Sequence, residues 1–199
     1  MSWCMRHASL SILIPAAGAS RRLGQPKQLV LYQGKSLILR AIENAQSLSP
    51  GEIIVVTGAN ANAVKKVVQK TSAVCVHNPD WAGGMGASIA VGAATADKDA
   101  AGLMILLCDQ WRLRREDLQS LAEIWQADTS RIVCAETEGW CGPPVIFPSP
   151  CFAALRNLQG DGGAHSILAA NSRLLTPVPM NNAASDLDTP AQLNALNTE

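Results

Sequence analysis

Arg21, Arg22 and Lys27 place three cationic side chains within seven positions, just after the small residues Ala16, Ala17, Gly18, Ala19 and Ser20. Small side chains let backbone N–H groups close around a bulky anion, as glycine-rich phosphate loops do. Guanidinium and ammonium groups then supply charge for a polyphosphate. The chemistry such a set can do is the binding of a nucleoside triphosphate. An ordinary strand-to-helix loop with solvated arginines would also contain these residues.

Two better-known phosphate loops do not fit. A Walker A loop needs Gly-Lys-Ser/Thr after its first glycine and four residues; here five residues separate Gly18 from Gly24, and Gly24 precedes Gln25. A dinucleotide fingerprint needs G-x-G-x-x-G opening directly into a helix, which the spacing and Pro26 forbid. A second candidate is Asp109, which follows the apolar run Leu103–Cys108. Ligands of open α/β sheets bind beyond the carboxyl ends of the strands. A carboxylate there suits Mg²⁺ bridging nucleotide phosphates, although a helix cap or a surface acid would read the same way.

Positioning these groups requires a sheet. Ile12–Ile14 reads as a buried strand stopping at Pro15, and Ile53–Val56 as a strand buried on both faces. Ala73–Val76, Leu103–Cys108 and Arg131–Ala135 continue the series. Helical spacing spans Leu37–Leu48, about Ala61–Lys70, about Ala87–Ala96 and Arg115–Trp125, with a loop over Asn78–Gly86. Alternating strands and helices predict an α/β fold with a mostly parallel sheet. Gly142–Pro148 is a strand hemmed in by prolines, expected at a sheet edge or beside an insertion. Two short helices (Phe152–Leu158, His165–Ala170), a strand (Leu174–Val178) and a helix opening at Thr189-Pro190 and running to about Leu196 complete the chain. Met1–Ala8 reads as a loose tail.

The 199 residues favour one domain. A hydrophobic fraction of 48% and a charged fraction of 16% argue against disorder. Lys+Arg and Asp+Glu balance at 16 each, so neither a nucleic-acid footprint nor a polybasic membrane patch is expected. No apolar segment approaches the roughly 20 residues of a membrane span. The six cysteines form no C-x-x-C pair or zinc spacing, which predicts reduced thiols and a cytoplasmic protein.

The segment Pro15–Lys27 resembles A-A-G-x-S-x-R-[ML]-G-x-x-K, the signature of nucleotidyltransferases with a GT-A-like fold. Within them it is most similar to the MocA-type molybdenum cofactor cytidylyltransferases of the MobA-like NTP transferase family. Ile14–Gly18 is also similar to the methylerythritol phosphate cytidylyltransferases. The resemblance runs from Ser9 to Leu196. It implies a three-layer α/β/α Rossmann-like architecture in a single domain over 1–199, with a nucleotide-binding half (9–110) and an acceptor-binding half (111–196).

The resemblance also implies roles. Leu106–Gln110 resembles the metal-binding L-x-C-D-Q segment and Asp186–Pro190 the D-[IL]-D-T-P segment, making Asp109 and Asp188 the Mg²⁺ ligands, with Asp186 structural. Arg22 would bind the β- and γ-phosphates, and Lys27 the charge developing at the α-phosphate. Gly83–Ile89 resembles G-M-x-x-S-[ILV], in which Gly83 allows close approach and Ser88 meets the base or sugar. Ala16-Ala17-Gly18 implies CTP, since a glycine at the second position goes with guanine.

The implied reaction is transfer of CMP to the phosphate of molybdopterin, with transient contact to a molybdoenzyme or its chaperone and no nucleic-acid or membrane partner. No nucleophilic side chain is needed, and the thiols, His7 and His77 have no implied role. Departures cluster in the acceptor half. Trp111 replaces the usual proline, Gly142-Pro143-Pro144 a more common Gly-x-Pro, and His165 an arginine, which weakens a fixed phosphate clamp. Another phosphorylated acceptor (a sugar or polyol phosphate), a MocA-like NAD(P)-dependent oxidoreductase and a non-catalytic carrier remain as alternatives.

Overall fold

The computed structural model describes residues 8–196, with the side chain of residue 195 excepted. The anticipated tail at Met1–Ala8 therefore lies outside the described residues, save for Ala8. The chain opens with strand β1 (Leu10–Ala16), a two-residue strand pair β2 (Leu31–Tyr32) and β3 (Lys35–Ser36), helix α1 (Leu37–Gln46), β4 (Glu52–Thr57), α2 (Ala61–Val68) and β5 (Val74–His77). It continues through α3 (Met85–Thr95), β6 (Gly102–Ile105), α4 (Arg115–Ala127), β7 (Ile132–Thr137) and β8 (Trp140–Pro148). The last elements are α5 (Phe152–Arg156), α6 (His165–Ala170), β9 (Leu175–Pro179) and α7 (Pro190–Leu196).

Seven strands form one sheet in the order β5-β4-β1-β6-β8-β7-β9. β5, β4, β1 and β6 run parallel, β9 is parallel to β7, and β8 runs antiparallel to both its neighbours. This is an α/β fold with a mostly parallel sheet. The chain moves outward from β1 through β4 to β5, then returns to β6 on the other side of β1. The order thus reverses between β1 and β6, and a crevice opens beyond their carboxyl ends.

Side-chain alternation along the strands divides the interior into two layers. Ile12 and Ile14 of β1, Ile53 and Val55 of β4 and Met104 of β6 pack with Ile38 and Ile42 of α1, Val64 and Val68 of α2, and Leu118, Leu121 and Trp125 of α4. Leu13, Ile54, Val56, Leu103 and Ile105 point the other way, toward Ile89 and Ala93 of α3, Phe152 and Leu155 of α5, and Ile167 and Leu168 of α6. A smaller cluster of Leu23, Val30, Leu37, Trp111, Leu187 and Leu196 pins the first loop to the last segment of the chain.

Several expectations are corrected. β1 does not stop at Pro15 but pairs with β4 through Ala16. Its pairing with β6 ends at Leu13–Ile105, so no neighbouring strand on that side lacks Pro15's missing N–H. The Gly142–Pro148 strand is not at an edge: β8 lies between β6 and β7. The prolines are tolerated because the register shifts between Cys134 and Ala135, which face Val145 and Gly142. Pro143 and Pro144 thus fall in the bulge, and β6 pairs only from Val145 to Pro148. The strand after Leu103 leaves the ladder at Ile105 rather than Cys108. α5 ends at Arg156 rather than Leu158, and α3 starts at Met85 rather than Ala87. The β2–β3 hairpin was not anticipated. Its turn, Gln33-Gly34, has φ of 51° and 77°, as a two-residue hairpin turn requires at both positions.

Candidate active site

The loop after β1 carries the first group of site residues. Ser20 adopts φ of 53°, a left-handed conformation uncommon outside glycine. Two interactions hold it there: its carbonyl accepts from the N–H groups of Leu23 (3.1 Å) and Gly24 (3.2 Å), and its Oγ accepts from Lys27 N (3.1 Å). Ser20 therefore closes the loop on itself and sets where Lys27 leaves the backbone. Gln28, 1% exposed, fastens the other side by donating from Nε2 to the carbonyls of Gly18 (2.8 Å) and Ala16 (3.2 Å).

Asp109 follows β6 across the crevice, and the C-terminal segment returns to meet it. Leu187 is fully buried and its N–H donates to the Asp109 carbonyl at 3.1 Å, which delivers Asp188 to the same spot. Just beyond, Gln192 Oε1 accepts from the backbone N–H groups of Asp188 and Thr189, each at 2.9 Å, and fixes the start of α7. α7 opens at Pro190, as the sequence indicated.

Four charges converge there. The Lys27 ammonium donates to Asp109 Oδ2, and to Asp188 Oδ1 at 3.1 Å. Arg22 Nη2 donates to Asp188 Oδ2 at 3.0 Å. Burial favours neutral Lys27, but the two carboxylates outweigh it and raise the ammonium's pKa. Burial likewise works to raise Asp188, yet its bonds and charge contacts with Lys27 and Arg22 hold it below the usual carboxylate range. Burial and the Asp109 charge push the neighbouring Cys108 thiol up to about 12, which keeps it protonated and unreactive at neutral pH.

Asp186 keeps an open face to solvent but lies deep enough among protein atoms that desolvation, with the Asp109 and Asp188 charges, pushes it up to about 6. Its backbone forms an isolated antiparallel bridge with Gln110.

Two adjoining cavities flank this cluster. The smaller, about 260 Å³, is lined by Arg22, Lys27, Gln28, Cys108, Asp109 and Asp188, among others. The larger, about 460 Å³, is lined by Ala17, Gly18, Ser20, Trp81, Met85, Ser88 and others. Both share Pro15, Gly18, Ser20, Arg21 and Met85. Lys27, Arg22, Asp109, Asp188, Ala17, Gly18, Ser20 and Ser88 are thus brought together around one crevice. Ala16 and Gly83 line neither cavity; Ala16 acts through its carbonyl.

Beside Gly83, Gly84 is the glycine that packs tightly against the protein itself. There φ is 101°, and an added Cβ would lie 2.5 Å from Asp161 Oδ1 and from the Gly160 backbone. At Gly83 the nearest atom, Ala87 Cβ, is 3.8 Å away. Ser88 is buried, and its Oγ accepts from Asn78 Nδ2 at 3.1 Å. Sequence reasoning missed Trp81, Met85, Asp161 and Gln28. Met85 and Asp161 stood in segments that resemble family motifs but were given no role, Trp81 carried a signal as a large apolar residue in a glycine-rich loop, and Gln28 carried none. His165 opens α6 with an exposed side chain.

The donor set suits a hard divalent cation. Asp109 and Asp188 offer oxygens, the ligands such ions take, and would hold such an ion together with phosphate and water oxygens. Among the described residues no group of three or more His, Cys, Asp or Glu forms a ready-made metal site. The Lys27 ammonium bonds both carboxylates and offsets their mutual repulsion. Elsewhere, the five described cysteines are free thiols, and no described helix is long and apolar enough to cross a membrane.

Residues 12–174 match the model of the MobA-like NTP transferase domain. Over 192 residues the chain is 31% identical to the nicotine blue oxidoreductase of Paenarthrobacter nicotinovorans, covering 91% of this chain and 93% of that protein. It is 24% identical over 150 residues to the molybdenum cofactor cytidylyltransferase of Escherichia coli (strain K12), covering 72% of each. The fold is similar to the crystal structure of Rv0371c from Mycobacterium tuberculosis H37Rv, with a TM-score of 0.84 at 23% identity, covering 98% of this chain and 100% of that one. It is also similar to the manganese complex of Rv0371c, with a TM-score of 0.79 at 22% identity, covering 94% and 97%.

Proposed function

The chain belongs to the MobA-like NTP transferase family and is a nucleotidyltransferase, and from that premise we propose that it transfers CMP from CTP to the phosphate of molybdopterin, releasing pyrophosphate. The observation that carries this reading is the convergence of Arg22, Lys27, Asp109 and Asp188 at the mouth of the loop that follows β1. Pure binding of a cofactor for delivery would not call for such a cage, which counts against a non-catalytic carrier.

In the proposed reaction an oxygen of the acceptor phosphate forms a bond to the α-phosphorus, in line with the bond to the β-phosphate oxygen, which breaks. The acceptor is already anionic, so no side chain need remove a proton. Catalysis is positioning and charge neutralisation. Arg22 binds the β- and γ-phosphates, and Lys27 turns from the carboxylates to the α-phosphate, where negative charge accumulates. Asp109 and Asp188 are the residues that would hold a divalent cation, Mg²⁺ in this reading; bound there it neutralises the phosphates and stabilises the departing pyrophosphate. A divalent cation is supported by the manganese complex of the similar Rv0371c.

CTP is supported by Ala17 at the second position of Ala16-Ala17-Gly18 and by the cytidylyltransferase from Escherichia coli among the relatives. The nucleobase and ribose would occupy the larger cavity between Ala17, Trp81 and Ser88. Ala16 and Gly83 contribute backbone rather than contact. In this reading residues 1–199 are one domain, with the nucleotide-binding half at 9–110 and the acceptor half at 111–196. Reduced thiols suit a cytoplasmic enzyme that hands its product to a molybdoenzyme or its chaperone.

One observation favours a second reading: the 31% identical relative is named an oxidoreductase. A dinucleotide such as NAD(P) would then lie in the same crevice, and activity would not need a divalent metal. A sugar or polyol phosphate as acceptor would preserve the donor chemistry.

The test is pyrophosphate release with CTP, GTP or ATP, Mg²⁺ and molybdopterin. Release with CTP alone, and only when the pterin is present, is the expected result. CTP–Mg²⁺ binding without release would move the acceptor to another phosphorylated molecule. Neither release nor nucleotide binding would overturn the transferase reading.

A further inference from the structure

We infer that Gln28 is a positioning residue for the triphosphate: a carboxamide clamp that fixes the loop after β1 in its anion-binding shape. This rests on the donor-site reading above. Gln28 is 1% exposed, and both of its Nε2 hydrogens are used, one on the Gly18 carbonyl at 2.8 Å and one on the Ala16 carbonyl at 3.2 Å. Those donations set the orientation of the amide, because the flipped amide would oppose two carbonyls with its own oxygen. Its Oε1 is then left buried without a partner among the described residues.

A half-satisfied buried amide is a costly way to fill a core. A methionine would fill that volume without the stranded acceptor. Stability alone therefore does not account for a glutamine here, whereas loop geometry does. One carbonyl belongs to the end of β1 and the other to the loop two residues later, so the clamp holds the turn at Ala17, where strand becomes loop. That turn presents Gly18, Ala19, Ser20 and Arg21 to the cavities.

Gln28 also directly follows Lys27, whose backbone N–H is held by Ser20 Oγ at 3.1 Å. The two side chains tie the loop from opposite ends, Ser20 at the start of its basic segment and Gln28 at the end. With both in place the Lys27 ammonium and the loop backbone face the same space. Without Gln28 the loop loses its inner tie, and the groups that read phosphate lose their common aim, while the base cavity is disturbed only on its loop side and keeps Trp81, Met85 and Ser88 opposite.

That separation gives a readout that a merely structural role would not move. Calorimetry with Mn²⁺ measures the affinities of CTP and of CMP for wild type and for Gln28→Met, at a temperature where circular dichroism shows both folded. Wild type should prefer CTP. In Gln28→Met both affinities should fall, CTP at least tenfold and at least three times more than CMP, because CMP keeps the Trp81 and Ser88 side of its cavity, so the CTP-to-CMP ratio drops. An unchanged ratio, whether both affinities persist or fall together, overturns the clamp. Should Gln28→Met not fold, the neutral Gln28→Leu replaces it, removing both donations without adding charge beside the triphosphate cavity, with the same drop in the ratio expected. Wild type that binds neither nucleotide overturns the donor-site reading itself, and the clamp's role falls with it.

Discussion

Lys27 and Asp188 stand 161 positions apart in sequence and 3.1 Å apart in space, Nζ to Oδ1. The same ammonium reaches Asp109, and all three side chains are partly or largely withdrawn from water. Removing Lys27 leaves two carboxylates facing one another. Lys27→Met should lower pyrophosphate release by about 10²–10³-fold, the scale of losing one preorganised stabilising group, while the protein stays folded. Steady-state kinetics beside circular dichroism checks this; normal turnover would refute the mechanism.

The Lys27–Asp109 pair should also be energetically coupled. Lys27→Met and Asp109→Ala each strand a partly buried charge, whereas the double variant strands less. In urea unfolding, the double variant should be more stable than the summed single effects by about 0.5–3 kcal/mol, as contacting groups are. Strict additivity would mean the pair is incidental.

Metal and nucleotide binding should be linked through the same ammonium. A divalent ion arriving alone must displace Lys27 from both carboxylates, but a nucleotide gives Lys27 and Arg22 phosphates to bind instead. Mn²⁺ should therefore bind wild type weakly by itself and at least tenfold more tightly with CTP present. Lys27→Met should bind Mn²⁺ alone better than wild type does. Titration calorimetry reads both, and equal Mn²⁺ affinity with and without CTP would contradict the exchange.

Arg22 offers a contrast. Its side chain is 75% exposed, and solvent-exposed pairs contribute about 0–1 kcal/mol. Arg22→Ala should leave the melting temperature nearly unchanged yet raise the KM for CTP about tenfold or more. A large loss of stability would show that the arginine is structural.

Gly84→Ala should be harmful without touching any charge. The new Cβ would meet Asp161 Oδ1 and Gly160 at 2.5 Å, and φ of 101° strains any L side chain. A loss of about 1–3 kcal/mol is expected, with weaker nucleotide binding because the start of α3 moves off Gly160. Thermal melting and calorimetry test it.

Much of this architecture is legible in the sequence because local pattern and burial agree. The unbroken Ile53–Val56 run becomes β4, buried on both faces, and helical spacing from Leu37 becomes α1. Pattern fails where tertiary context decides. Gly142–Pro148 contains three prolines, yet it lies inside the sheet because a register shift absorbs two of them and the third closes the strand. The charged members of the site were visible as a motif. Gln28 was not, because a glutamine beside a lysine has no periodic signature and acts only through two carbonyls brought near by folding. The backbone demand at Gly84 was also not legible, since sequence cannot say which of two adjacent glycines takes a positive φ.

The return of Leu187 to the Asp109 carbonyl also bears on when the protein becomes competent during its own synthesis. A nascent chain that has emerged only through Asp109 has the basic loop and one acid; the other acid, Asp188, follows about 80 residues later. The charge cage thus closes only after every strand of the described sheet has been made. A ligand that needs both carboxylates binds only the completed fold, and by mass action it holds that fold shut.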